Sequence, residues 1–337
     1  MKTALFTAVI ALGLCTGAAA QSPGGKSPFE VVFYNVENLF DTLDDPRTAD
    51  EAFTPRGQQA WTGWRYRQKL LALYKVFTAI GGWEAPGLIG LCEVEDRRAL
   101  ADLLRSTPLR REGYGIVCEP SADPRGIEVA LLYREKHFRY LCHERMRPRF
   151  EFDTSVRTRD VLYLAGELAG GDTLHLFVNH WPSRRGGKAA SEPRRLAVAR
   201  MVRAAVDSLL AENPEALVLL MGDLNDTPSD PSVAEVLGGP GDLSGLVPEF
   251  SGRAGTHKHE GEWAVLDHLI VSRALLSERG RCWRIGPAAP FAAPFLLEPD
   301  LRHTGKKPRR TYAGPRYLGG FSDHLPVHAR LEPVPRK

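Results

Sequence analysis

Short apolar runs rich in β-branched residues recur along the whole 337-residue chain, and they constrain its fold more than any other feature. Their length and the turn residues between them are typical of buried strands. The runs lie at 29–35, 87–92, 114–118, 127–133, 161–168, 173–179, 216–221, 264–271 and 325–331. Helical periodicity is confined to fewer segments, of which Arg65 to Ile80 and Arg194 to Leu210 are the clearest. Because strands outnumber long helices, the sequence predicts two packed sheets flanked by helices, an α+β form of the α/β class.

Carboxylate, amide and imidazole side chains stand at the places where these strands would begin or end. They are Asn35, Glu37, Glu93, His180, Asp223, Asn225, Asp267, Asp323 and His324. Residues two apart on an extended chain share a face, so Asp223 and Asn225 can address one ligand. Side chains of this kind, converging from many strands, suit a hard divalent cation, a general base and the charge of a phosphate.

Residues 1–20 have the pattern of a secretory signal peptide and not of a folded segment. Lys2 gives the positive start, and Leu5 to Leu14 is an apolar core too short to span a bilayer. Ala18 to Ala20 provides a small-residue cleavage site. We therefore expect the leader to be cleaved and the protein to be secreted or periplasmic.

The rest of the chain, 21–337, is expected to form a single domain, because neither a low-complexity linker nor a repeat interrupts it. No segment in it is apolar for long enough to cross a bilayer, so we expect no stable membrane insertion. We also expect a monomer. Lipid anchoring at Cys15 is disfavoured, because Leu14 stands where a small residue normally precedes a lipidated cysteine. The formal net charge of +3 neither demands nor excludes nucleic acid, since local patches matter more than the sum.

The cysteines beyond the leader do not form a zinc-binding pattern with the histidines. They are Cys92, Cys118, Cys142 and Cys282. Most lie in or beside strand-like runs, where cysteine behaves as a small core hydrophobe. An oxidising compartment permits disulfides, but the sequence leaves their pairing open.

In content and in order, the polar motifs resemble those of the endonuclease/exonuclease/phosphatase superfamily, which includes deoxyribonuclease I, AP endonucleases, neutral sphingomyelinases and inositol polyphosphate 5-phosphatases. The motifs are Phe33 to Asn38, Leu91 to Glu93, Arg125 to Arg134, Asn179 to Pro182, Gly222 to Asn225, Leu266 to His268 and Ser322 to His324. The resemblance covers essentially all of the chain after the leader. It implies a four-layered α/β sandwich of two mainly antiparallel sheets, as in deoxyribonuclease I.

The resemblance also implies a metal site and a base. Asn35, Glu93 and Asp323 would hold Mg²⁺, with Mn²⁺ or Ca²⁺ as alternatives. Asp223 would orient or deprotonate the attacking water, and Asn225 would donate to a phosphate oxygen. Simpler interpretations remain: Glu93 as a helix-start carboxylate, and the 223–225 segment as an Asx turn.

Two carboxylate–imidazole pairs are the next implication. Asp267 would support His324 at the scissile phosphate, and Glu128 would support His180. Two further residues are implied as substrate-binding: Arg159, where the family often has a phosphate-contacting arginine, and Tyr133. For Tyr133 a purely structural role in a strand is the alternative.

The function predicted from this resemblance is a metal-dependent phosphodiesterase, a nuclease with DNA or RNA as its substrate and partner. Basic residues at Arg184 to Lys188 and Arg194–Arg195 would give the cleft a positive rim. At Lys306 to Arg310 a solvated loop is the preferred interpretation. A phospholipid or inositol phosphate is the alternative substrate, and a lipid would require an exposed apolar hairpin, for which Phe291 to Leu297 is the candidate. A catalytically silent binding module is disfavoured by the complete set of motif residues.

Overall fold

The strand-like runs form strands, and the two clearest helical patterns form helices. In the computed structural model the described residues are 26–238, 242–245, 255–277 and 283–334. The first part of the chain contains β1 (Phe29–Leu39), α1 (Gly63–Gly81), β2 (Leu88–Val94), α2 (Arg97–Ser106), β3 (Tyr114–Cys118), β4 (Glu128–Arg134), β5 (Phe138–Met146), β6 (Val161–Leu168), β7 (Thr173–His180), α3 (Lys188–Glu212) and β8 (Leu217–Asp223).

A turn at 228–231 leads into a short helical segment, Ser232–Leu237, as the proline-rich sequence there indicates. Most strands after it are short. They are β9 (Leu243–Gly245), β10 (His257–His259), β11 (Glu262–Ala264), β12 (Asp267–Ser272), β13 (Trp283–Ile285), β14 (Ala289–Pro290), β15 (Leu297–Pro299), β16 (Lys306–Pro308), β17 (Tyr312–Ala313), β18 (Arg316–Tyr317) and β19 (Val327–Pro333).

The longer strands form two mixed sheets. The first has the order β13-β19-β1-β2-β4-β3, with β14 also paired to β19, and the second has the order β5-β6-β7-β8-β12-β9. Each sheet contains one parallel pair, β1 with β2 and β7 with β8, and its other pairs are antiparallel. The predicted pair of mainly antiparallel sheets is therefore confirmed.

The two sheets pack face to face, and helices cover their outer faces. The core between the sheets is fully buried and includes Val31, Phe33, Leu131, Leu164, Leu176 and Leu219. On the outer face of the first sheet, α1 and α2 contribute Leu73, Phe77 and Leu100 to a second core. On the second sheet, α3 contributes Val202 and Val206 to a third. Each buried aliphatic side chain contributes about 1.5–3 kcal/mol, which makes these interfaces the main source of stability. The result is the predicted four-layered sandwich.

The parallel pairs bring the polar strand ends together. Asn35 lies opposite Cys92 across β1 and β2, and His180 lies opposite Asp223 across β7 and β8. Parallel strands end at the same edge of a sheet, so each sheet presents its polar side chains at one edge. β12 runs antiparallel to β8 and begins there, with Asp267 opposite Asp223.

The irregular segment predicted at 281–315 is partly ordered into short hairpins, and its described residues begin at 283. Within it, Leu296 is 1% exposed and packs in the same core as α1. Phe291, Phe295 and Leu297 are partly buried against that core. The stretch Phe291 to Leu297 is therefore not an exposed apolar hairpin. Among the described residues, no helix combines the length and apolar character that a membrane crossing requires.

Candidate active site between the two sheets

The centre of the site is the Asp223 carboxylate, which meets side chains from both sheets. The Asn35 amide, on the first sheet, donates to Asp223 Oδ2 at 3.0 Å. The same amide nitrogen lies 3.4 Å from Glu93 Oε1. Asp223 and Asn35 are buried, whereas the Glu93 side chain is 17% exposed. The structure thus joins residues that are 188 positions apart in the chain.

Backbone geometry directs these side chains. Glu37, Glu93 and Asn225 all have positive φ values, of 50°, 61° and 52°. Glu93 lies at a shift in the register of β2 with β4, and such a bulge re-aims a side chain. Left-handed backbone costs about 1–3 kcal/mol per non-glycine residue and persists where surrounding bonds hold it. Here Asn38 N donates to Glu93 Oε2 at 3.1 Å, and Asn225 N donates to Asp223 Oδ1 at 2.9 Å.

His324 and Asp267 form a buried pair. The His324 Nδ1 atom lies 2.7 Å from Asp267 Oδ2, and the other ring nitrogen lies 3.8 Å from Asp223 Oδ2. Burial opposes a charged imidazole, but the carboxylates of Asp267 and Asp223 outweigh it and raise the pKa of His324 well above its usual value. The His257 ring packs against His324 at a centroid distance of 4.7 Å. An imidazolium is therefore the favoured state of His324 at neutral pH.

His180 approaches Asp223 from the other side. Its Nε2 atom lies 3.8 Å from Asp223 Oδ2 and 3.9 Å from Glu93 Oε1. Burial, and then the charge of Arg159, lower the pKa of His180 well below its usual value, which favours a neutral ring. Its Nδ1 atom is buried and has no hydrogen-bond partner within the described ranges.

The expected pair of Glu128 with His180 is absent. Glu128 is the first residue of β4, and its carboxylate accepts the Ser121 N–H at 2.9 Å from the preceding loop. Burial raises the pKa of Glu128 to about 7. The carboxylate therefore caps its own loop instead of supporting the imidazole.

Arg159 and Tyr133, the predicted substrate-binding residues, occupy different places. The Arg159 side chain is 6% exposed and donates to Asp123 Oδ2 at 3.0 Å and to the Trp181 carbonyl at 2.6 Å. It lies beside His180 but its guanidinium is directed into the protein. Tyr133 lies opposite Leu88 at the start of β2, far from Glu93, and packs against other aromatic rings. These contacts fit the structural alternative for Tyr133, and its substrate contact stays a prediction.

Asp323 does not share a hydrogen bond with Asn35 or Glu93. Its Oδ2 atom accepts from Arg310 at 3.0 Å, and the same guanidinium donates to Glu37 Oε1 at 3.0 Å. The preference for a solvated loop at Lys306 to Arg310 is thus wrong for Arg310. The sequence offered no sign of this contact, because it joins positions 273 residues apart.

Lys69, on α1, is a second cation that the sequence did not point to. It is 2% exposed and its ammonium donates to the Thr311 hydroxyl and the Phe321 carbonyl, both at 2.6 Å, and to the Glu37 carbonyl at 3.3 Å. Burial lowers the pKa of Lys69 to about 8. The ammonium therefore fastens the 309–321 segment to α1 and to the end of β1.

We expect Lys69→Met to destabilise the fold by about 2–4 kcal/mol, because three buried acceptors lose their donor. Chemical denaturation of the variant measures the loss. Arg67→Met, at an exposed position of the same helix, is the matched control. A midpoint equal to that of the control would contradict the bracing role of Lys69.

The oxygen donors at this edge fit a divalent cation. Glu37, Asp323 and Glu93 all act electrostatically on the Lys69 ammonium, and Glu37 and Asp323 share the Arg310 guanidinium. These carboxylates, and the Asn35 side chain that contacts Glu93, offer oxygen donors, the type of ligand that Mg²⁺, Mn²⁺ and Ca²⁺ prefer. Among the described residues, ligand atoms lie within 4.8 Å of one another in two other groups: Asp223 with Asp267 and His324, and Asp223 with Cys92 and His180. The Asn35 and Glu93 end is the better candidate for a hard ion because it lacks a nitrogen ligand.

Two packed mixed sheets with carboxylates, amides and imidazoles at their common edge define a class of phosphoester hydrolases. The model of the endonuclease/exonuclease/phosphatase family matches residues 30–333, and the chain belongs to that family. Members of the family hydrolyse phosphoric ester bonds and generally depend on a divalent metal ion, and this chain is such a hydrolase. Comparison with curated sequences gives no match.

Solved structures share the fold. Truncated TDP2 of Caenorhabditis elegans has a TM-score of 0.56 at 21% identity, over 90% of this chain and 97% of that chain. The mannosyl-6-phosphatase of Bacteroides thetaiotaomicron has a TM-score of 0.56 at 17% identity, over 90% and 99%. The human nocturnin catalytic domain with bound sulfate has 0.55 at 15%, over 92% and 96%. At these identities the likeness concerns the fold alone.

Proposed function

We propose that the chain is a secreted nuclease that hydrolyses phosphodiester bonds of DNA or RNA at the edge where the two sheets meet. The position of Asp223 carries the proposal. Its Oδ2 atom receives the Asn35 amide at 3.0 Å and lies 3.8 Å from a ring nitrogen of both His180 and His324. A carboxylate so placed can orient water towards a phosphorus atom held between the imidazoles.

The protonation states of Asp223 and His324 favour different catalytic roles for the two residues. Burial raises the pKa of Asp223 to about 7, which suits a general base acting near neutral pH. His324, charged and held by Asp267, would neutralise developing charge on a non-bridging oxygen. Asn225 gives one amide hydrogen to the Trp181 carbonyl at 3.1 Å, which leaves its second amide hydrogen for the phosphate.

Asn35 and Glu93, with Glu37 and Asp323 beside them, are the residues that would hold the divalent ion. When bound, the ion supplies compensation for negative charge on the phosphate and the leaving oxygen. Asn35 thus has two roles, because it would help to hold the ion and its amide nitrogen donates to Asp223, the proposed base. The chain itself contributes the water-orienting carboxylate, the donors and the exclusion of bulk water.

The fold favours nucleic acid over lipid as the substrate. A lipid-cleaving enzyme needs an apolar element that enters the membrane surface, and the 291–297 segment packs on the protein core instead.

An inositol phosphate or similar small phosphoester is the second candidate substrate. The ion pairs of the basic residues predicted to line the cleft favour it. Arg195 is fully buried against Asp226 at 2.7 Å. Arg184 and Lys188 both pair with Asp230, and Arg184 does so at 2.9 Å. Cations already paired within the protein contribute less to a backbone-tracking groove, so the predicted positive rim is weaker than its sequence indicates.

One set of assays on the purified protein distinguishes the two candidate substrates. Plasmid DNA, RNA, an inositol polyphosphate and sphingomyelin vesicles are each incubated with Mg²⁺, Mn²⁺, Ca²⁺ or chelator. We expect cleavage of nucleic acid with Mg²⁺ and none with chelator or with Asp223→Asn. Cleavage of the inositol phosphate with intact DNA and RNA would overturn the nuclease proposal.

Secretion is a separate proposal that depends on the leader at 1–20. Mass spectrometry of protein recovered from outside the cytoplasm of its host should give an N-terminus at or near Gln21. Retention of Met1 in that fraction would overturn it.

A further inference from the structure

Arg310 bridges two carboxylates at the mouth of the site. Its guanidinium donates through Nε to Glu37 and through Nη2 to Asp323, both at 3.0 Å. It also lies close enough to Glu93 to be affected by that charge. In the proposed function, Glu37 and Asp323 lie beside Asn35 and Glu93 and would help to hold the divalent ion. The guanidinium is therefore a cation of the chain itself, placed where an external cation would compete with it.

The Arg310 backbone is anchored while its side chain is not enclosed. The next residue, Thr311, donates its N–H to Glu37 Oε2 at 2.5 Å and binds the Lys69 ammonium through its hydroxyl. The Arg310 side chain is 41% exposed, in contrast to the 4% of Glu37. A guanidinium on a fixed backbone with an open solvent side can change partners without any rearrangement of the fold.

We propose that Arg310 couples ion binding to phosphate binding: the guanidinium neutralises Glu37 and Asp323 when no ion is present, and an ion on these carboxylates releases it to bind the substrate phosphate. Two effects favour the exchange. A divalent ion repels a neighbouring guanidinium, and a guanidinium binds phosphate oxygens in a bidentate manner that compensates for the lost carboxylates. The proposal deepens the phosphoester hydrolase function and makes ion and phosphate binding mutually reinforcing.

Isothermal titration calorimetry tests the exchange without any turnover. Mg²⁺ is titrated into the protein alone and in the presence of inorganic phosphate, for the wild type, Arg310→Gln and Arg309→Gln. Arg309 is the adjacent, exposed arginine and makes no ion pair with the described residues, so its variant is the matched control. Melting curves establish that each variant is folded.

For Arg310→Gln we expect Mg²⁺ to bind about tenfold more tightly without phosphate, since the competing charge is gone. Phosphate should strengthen Mg²⁺ binding in the wild type and in the control, and this effect should be lost in the variant. Arg310→Lys keeps the charge but cannot bind phosphate oxygens in a bidentate manner, so it should retain weaker coupling between Mg²⁺ binding and phosphate binding. Mg²⁺ binding that is unchanged or weaker in Arg310→Gln would overturn the exchange and leave Arg310 as a brace for its carboxylates. Because these titrations contain no nucleic acid, a failure of the nuclease proposal would not alter their outcome.

Discussion

Replacement of His324 with alanine is expected to lower kcat/KM for a phosphodiester by about a thousandfold, because the site loses its charged donor to the phosphate. Asp267→Asn should act on the same step. The pair is 2.7 Å apart and shielded from solvent, so the imidazole depends on that carboxylate for both its orientation and its charge. The double variant should therefore be little worse than the poorer single variant.

The four members of this cycle are measured on one phosphodiester, with His259→Ala as an exposed imidazole control. The pH profile adds a second reading. Asp267 raises the pKa of His324, so removing its charge should lower that pKa and move the alkaline limb of kcat/KM to lower pH. Fully additive losses, with an unmoved alkaline limb, would show that the two residues do not act as a unit.

Asp223→Asn should produce the largest loss, about 10⁴-fold in kcat, since general base catalysis contributes up to that factor. The acid limb of the wild-type profile should rise through a pKa of about 7, because Asp223 must be ionised to accept a proton. Exposed Asp44→Asn is the control. Residual activity with an unchanged acid limb in Asp223→Asn would assign the base elsewhere.

The same substitution should increase stability above neutral pH. A folded-state pKa of about 7 lies above the ordinary value of 3.8, so the folded protein binds more protons between these values and loses stability as pH rises through them. An asparagine removes this cost, and the melting temperature of Asp223→Asn should exceed that of the wild type at pH 8 but not at pH 3. Equal melting temperatures of the variant and the wild type at pH 8 would show that burial does not destabilise the ionised Asp223 carboxylate.

The residues that sequence reasoning located are those at the ends of long strands. Strand periodicity indicates where a run stops, so Asn35, Glu93 and Asp223 could be placed at strand ends, and the family resemblance implied that they share one site. Contacts from irregular segments were not accessible in this way. Arg310 lies in a stretch without periodicity, and Lys69 faces inward from a helix on which a lysine would ordinarily be solvated.

The Glu128 prediction failed for a local reason. Motif order located Glu128 at the start of β4, but the partner of a carboxylate there depends on the conformation of the preceding loop. In this chain the Ser121 N–H donates to the Glu128 carboxylate, and the His180 Nδ1 atom has no hydrogen-bond partner among the described residues. Sequence can bring a residue to the correct edge of a sheet, whereas a hydrogen bond requires a geometry that no motif specifies.

Release of p-nitrophenol from bis-p-nitrophenyl phosphate is the most direct test of the central claim, that the edge between the sheets hydrolyses phosphoesters with a divalent ion. The purified protein, Asp223→Asn and Glu93→Gln are compared with Mg²⁺ and with chelator. We predict Mg²⁺-dependent release by the wild type only, with all three proteins equally folded. Release that persists in chelator, or that Asp223→Asn retains at the wild-type rate, would contradict the account.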